Sequence, residues 1–89
     1  MAHINRSSKL PLYHQLYEIV RGEILGKKWL PGDMLPPESE LIETYQVSRT
    51  TVREALEMLT ALDMVEKQAA RGTFVKELGV DPVGYDRPR

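Results

Sequence analysis

The run Val47-Ser48-Arg49-Thr50-Thr51-Val52-Arg53-Glu54-Ala55-Leu56 constrains this chain more than any other stretch. It reads as a helix with a small, hydroxylated first turn. Ser48 suits the N-cap, because its hydroxyl can accept from a backbone N–H two or three residues on. At the helical advance of ~100° per residue, Val52, Ala55, Leu56, Leu59 and Leu62 share one side. Arg49, Thr50 and Arg53 share the other, with Arg49 and Arg53 neighbours one turn apart. The exposed end is thus cationic and rich in hydroxyls, where free backbone donors and the helix dipole also favour anions. A helix of this kind suits end-first insertion into a DNA major groove.

With 89 residues the chain has room for one small domain, whose core is marginal by size alone. The absence of cysteine excludes disulfides and thiolate metal sites and suits a reducing cytoplasm. Apolar runs fall short of the ~20 residues of a membrane span. The polar start from Met1 to Leu10 shows no secretory signal. Net charge is −1. Setting aside Glu77, Asp81, Asp86, Arg87 and Arg89 leaves ten basic and ten acidic residues. Any affinity for a polyanion must therefore come from local placement of charge, with a modest non-specific component.

Taken in order, residues 1–9 read as a flexible polar arm. Leu10-Pro11-Leu12 opens a first helix, with Pro11 near the first helical position. Leu12, Leu16, Ile19, Val20 and Ile24 recur at helical spacing to about Leu25, and Gly26 is the expected C-cap. Tyr13 and Tyr17 form a second stripe; Tyr13 belongs either to the core or a dimer contact, or to a phosphate. Pro31-Gly32 fits a type II turn, Trp29 reads as a core or rim anchor, and Met34-Leu35 as a short strand. Pro36-Pro37 then forbids helix before it and starts one after it. That second helix spans about Glu38 to Tyr45, its early acids complementing the dipole. A tight connection through Gln46 leads to the third helix, which ends near Leu62-Asp63. Two helices so joined are a helix-turn-helix. Met64 to Gln68 and Thr73 to Lys76 read as a β-hairpin whose tip, Ala69-Ala70-Arg71-Gly72, is a second candidate contact. Residues 77–89 carry Gly79, Pro82, Gly84 and Pro88, and read as a linker or disordered tail.

Five segments carry a resemblance. Pro11-Leu12-Tyr13, Pro31-Gly32-Asp33, Leu35-Pro36-Pro37-Glu38-Ser39-Glu40-Leu41, Val47 to Leu56, and Arg71-Gly72-Thr73-Phe74-Val75 stand in order and at matching spacing. Together, over about residues 10–76, they resemble the N-terminal DNA-binding domain of GntR-type bacterial transcription regulators. The Pro-Leu-Tyr start leans toward the HutC-like branch. The resemblance implies an α+β winged helix-turn-helix, with three helices and a small antiparallel β-wing. It implies sequence-specific binding of a double-stranded, palindromic operator by a metabolite-responsive repressor. Ser48, Arg49, Thr50, Thr51 and Arg53 would meet the major groove, and Ala70, Arg71 and Gly72 the minor groove. Ser39 stands where the family usually carries a phosphate-binding arginine; it can donate one neutral hydrogen bond but not the charge. Ala70 and Asp63 replace usual glycines. Members dimerise through a C-terminal effector domain, so this chain is expected to be either a reader domain cut from a longer cytoplasmic regulator, the favoured reading, or a natural short form.

Arginine suits guanine because its fork meets O6 and N7 together, which makes Arg49 the leading base reader. Arg53 reads a base or clamps a phosphate, and Glu57, four residues on, is positioned to pair with it. No clustered nucleophile, acid/base or metal set is visible: His3 and His14 stand apart, and Gly26-Lys27-Lys28 lacks P-loop spacing. The chain is therefore read as a non-enzyme without metal or cofactor. A winged-helix protein-interaction module is the alternative, because neutral charge and Glu38, Glu40 and Glu43 sit awkwardly beside a polyanion.

Overall fold

The computed structural model describes residues 4–77; the linker reading for residues beyond Glu77 lies outside them. The element order is α1 (Leu12–Leu25), α2 (Glu38–Tyr45), α3 (Arg49–Ala61), β1 (Val65–Gln68) and β2 (Gly72–Val75). The fold is a winged helix-turn-helix, with a two-stranded antiparallel wing behind three helices.

The apolar stripes meet in one core. Leu16, Val20 and Ile24 from α1 join Leu41 from α2, Val47 from the turn, and Val52, Ala55, Leu56 and Leu59 from α3. Met64, Val65 and Val75 close it from the wing. The main helix–helix contact is between α1 and α3, so the helix carrying the two arginines is braced by the longest helix in the fold. The wing pairs Val65 with Val75 and Lys67 with Thr73. Because side chains alternate across a strand, Lys67 and Thr73 lie on the same face as the buried valines but further toward the tip. The segment before α2 adds to the wing: Met34 bridges Phe74, and the Leu35 N–H donates to the Thr73 carbonyl at 2.8 Å.

Each helix stops on a left-handed residue that is not glycine: Lys27, Gln46 and Asp63, with φ of 70°, 56° and 63°. After α3, the Met64 N–H returns to the Leu59 carbonyl at 3.0 Å and the Asp63 N–H to Thr60 at 2.9 Å. This is the hydrogen-bond pair of a Schellman stop. It corrects one expectation. Leu62, read as part of the buried stripe, is 53% exposed, because the chain reverses at Asp63 and Met64 takes the inward place. A second difference lies at α1: Gly26 is the C-cap but has φ −83°, and the left-handed turn falls on Lys27.

The arm also differs from the loose segment read over residues 1–9. Its described part, residues 4–9, is docked. Ile4 packs against the core. The Asn5 N–H donates to Gln15 Oε1 at 2.7 Å, and Gln15 Nε2 donates back to the Asn5 carbonyl at 3.0 Å. Arg6 Nη2 donates to the carbonyl of Tyr45 at 3.1 Å and to that of Gln46. A cation there satisfies orphan carbonyls at the C-terminal end of α2, where the dipole favours it. The arm thus fastens α1 to the helix-turn-helix.

Candidate nucleic-acid interface

Ser48 sits outside α3 with extended backbone, and its hydroxyl accepts from the Thr51 N–H at 3.0 Å. Its own hydroxyl proton goes to Thr51 Oγ1, also at 3.0 Å. The N-terminal end of α3 is therefore pinned, and Thr51 is half-buried. Arg49 and Thr50 project from the same turn and Arg53 from the next, all exposed.

A single concave surface runs from the start of α2, past Arg49 and Arg53, to the wing tip at Ala70, Arg71 and Gly72. It also takes in Ser39, Glu38, Lys67 and Thr73. Four cations (Arg49, Arg53, Lys67 and Arg71) line it against one carboxylate, Glu38. Local placement thus creates a cationic face on a chain of net charge −1. Focused positive charge of this sort raises the local concentration of a polyanion.

Of the expected site residues, Ser39, Arg49, Arg53, Ala70, Arg71 and Gly72 share that surface. Ser48, Thr50 and Thr51 are not among its lining residues; they stand at the N-cap and first turn of α3, next to Arg49 in sequence. Tyr13 does not line it: the ring is half-buried on α1. His14, also on α1, stacks edge-on against Tyr17 with centroids 5.6 Å apart, and its Nδ1 is buried without a hydrogen-bond partner. Among the described residues, no three His, Asp or Glu side chains cluster as metal ligands, and no helix is long and apolar enough to cross a membrane.

The wing tip is tightly specified. The Arg71 N–H closes a turn onto the Gln68 carbonyl at 3.0 Å. Ala70, third in that turn, has φ 65°, where glycine or asparagine is usual. Gly72 has φ 136°, and a Cβ there would stand 2.9 Å from Met34 Sδ. The Arg71 guanidinium lies over Phe74, 5.4 Å from the ring centre.

The arginines of α3 have a partner that helical spacing did not reveal. Glu38 Oε1 is 3.6 Å from Arg49 Nη1 and 3.4 Å from Arg53 Nε. This replaces the expected pairing of Arg53 with Glu57. Both arginine side chains remain 58% exposed, so each ion pair contributes at most about 0.2–1 kcal/mol and is exchangeable. Lys67 was also missed, although alternation from Val65 would have placed it on the inner face.

Comparison with known proteins agrees with this geometry. The model for bacterial regulatory proteins of the gntR family matches residues 12–75. The mannosyl-D-glycerate transport/metabolism system repressor MngR of Escherichia coli is 42% identical over 76 residues, covering 85% of this chain and 30% of the repressor. The repressor NagR of Bacillus subtilis is 36% identical, covering 83% of this chain and 30% of its own. The chain thus spans about 30% of the length of these curated relatives. Among solved structures, YtrA from Sulfolobus acidocaldarius, a GntR-family transcription factor, superposes with a TM-score of 0.79 at 30% identity, covering 85% of this chain and 80% of its own. The DNA-binding domain of AraR in complex with operator ORE1 superposes with a TM-score of 0.74 at 32% identity, covering 84% and 92%. The chain belongs to the GntR family of bacterial regulatory proteins.

Proposed function

We propose that this domain is the sequence-specific, double-stranded DNA reader of a bacterial transcription repressor. The observation that carries the reading is the concave cationic surface joining Arg49 and Arg53 on α3 to Arg71 on the wing. The N-terminal end of α3 enters the major groove, with Arg49 and Arg53 at base edges or phosphates and Ser48, Thr50 and Thr51 beside the backbone. The wing tip, with Ala70, Arg71 and Gly72, follows the minor groove. Ser39 supplies one neutral hydrogen bond to a phosphate at the start of α2; Tyr13, half-buried on α1 and off this surface, is left out of the footprint. The operator-bound AraR domain, of the same fold, supports duplex DNA as the ligand.

The domain works as half of a homodimer on a palindromic operator in the cytoplasm. The partner contact and a metabolite site reside in a C-terminal effector domain, with residues 77–89 as the linker. Placement in the HutC-like branch is supported by the Pro11-Leu12-Tyr13 start and by 33% identity over 72 residues to the histidine utilization repressor of Klebsiella aerogenes. The test is a fluorescence titration of duplex recovered by selection from random sequence, at several salt concentrations. Specific binding that weakens steeply with salt is the expected result. A protein partner captured with no response to any duplex would establish the interaction-module alternative instead.

A further inference from the structure

Glu38 is the one acid lining the concave surface that carries Arg49, Arg53, Lys67 and Arg71, and both arginines of α3 converge on one of its oxygens. A carboxylate there lowers the attraction for any polyanion; it complements the α2 dipole, but so does Glu40, which among the described residues makes no ion pair with the arginines. The contact geometry sets Glu38 apart. Arg53 is met through Nε, not through its terminal nitrogens, and its side chain is 58% exposed. Arg49 is met at one terminal nitrogen, at ion-pair rather than hydrogen-bond distance. Neither guanidinium is consumed, and both are held on the same side of α3. Glu38 is itself at the first position of α2, on a different helix from the arginines, and its side chain is less exposed than theirs, 22% against 58%.

We infer that Glu38 is the specificity-setting residue of the interface: it pre-positions Arg49 and Arg53 for base reading and at the same time suppresses binding to arbitrary sequence. The inference rests on the DNA reading above. A free arginine has many rotamers and finds phosphates on any duplex. An arginine biased toward one position by Glu38 has less freedom to lose when its fork meets the correct base, and gains less from a wrong one. One carboxylate thus acts on both terms of the discrimination ratio.

Two substitutions separate the terms. Glu38→Gln removes the charge and both ion pairs. Glu38→Asp keeps the charge and the helix N-terminal complement but withdraws the oxygens from both guanidinia. Affinity of the 89-residue chain for the selected duplex and for a scrambled duplex is measured from 50 to 200 mM salt, with folding followed by circular dichroism. Glu38→Gln should raise affinity for the scrambled duplex about two- to fivefold at low salt, an effect that shrinks as salt screens it. It should also lower the selected-to-scrambled ratio about three- to tenfold, the scale of freeing one long side chain. Glu38→Asp should raise scrambled affinity less than Glu38→Gln does, because the local negative charge stays, yet lower the ratio similarly. If Glu38→Gln raises both affinities equally, Glu38 merely masks charge and the positioning role is overturned. If Glu38→Asp keeps the wild-type ratio, the role is equally overturned. A wild-type chain that binds no duplex overturns the DNA reading itself, and this inference with it.

Discussion

The two small residues at the wing tip should respond to glycine and alanine in opposite senses. Gly72 has φ 136° and faces Met34 Sδ at 2.9 Å from where a Cβ would stand. Gly72→Ala therefore combines a backbone conformation that costs about 1–3 kcal/mol for a residue with a side chain with displacement of a flexible methionine end, which costs less. A loss of about 2 kcal/mol is expected. Ala70 already occupies φ 65°, so Ala70→Gly relieves about 1–2 kcal/mol of left-handed strain. It gives back about 0.5–1 kcal/mol in unfolded-chain entropy. The net gain is about 0.5–1 kcal/mol. In urea, with a slope of about 1 kcal/mol per molar for a domain this small, the midpoint should fall by about 2 M in Gly72→Ala. It should rise by about 0.5–1 M in Ala70→Gly. Trp29 fluorescence follows the transition, because that ring is half-buried against the core. Two midpoints that move in the same direction, or a Gly72→Ala shift below about 0.5 M, would refute the reasoning from backbone geometry.

Ser48→Ala removes the N-cap of α3 and the hydrogen bonds to Thr51; a stability loss of about 1 kcal/mol by urea titration is expected. Arg71→Ala should weaken duplex binding and flatten the slope of log affinity against log salt by about 0.9, if the guanidinium neutralises one phosphate; an unchanged slope removes it from the footprint. Stability should fall at alkaline pH. The Lys76 ammonium is held above its ordinary value by its hydrogen bond to Asp63, partly opposed by desolvation, and burial, then the nearby Glu23 charge, raises the Tyr45 phenol. For a group whose folded value is raised, the stabilisation is complete below the unfolded value and lost as pH passes the folded one. Urea midpoints flat near neutrality and falling above about pH 10 are expected, with a shallower fall in Tyr45→Phe.

The parts of the fold that were legible were those set by local spacing. The stripe Val52, Ala55, Leu56 and Leu59 and the cap at Ser48 located α3, and Pro36-Pro37 placed the start of α2 at Glu38. What escaped depends on contacts between elements. Arg53 had a plausible partner in Glu57 one turn away, and helical spacing carries no information about Glu38, 15 residues distant. The arm was read from its polar composition, yet Arg6 finds carbonyls 39 and 40 residues along the chain. Leu62 was misplaced by continuing a periodicity past the point where Asp63 turns left-handed. The candidate interface was legible on α3 and at the wing tip. Its closure into one surface through Glu38 and Lys67 came only with the tertiary arrangement.

The most direct test of the interface is selection of binding sites from random duplexes by the wild-type chain and by Arg49→Ala. With Arg49 reading a base, the variant should recover the same motif relaxed at one position, and lose about 1–3 kcal/mol on the wild-type site. An identical motif bound with unchanged affinity would contradict the placement of the α3 N-terminus against base edges.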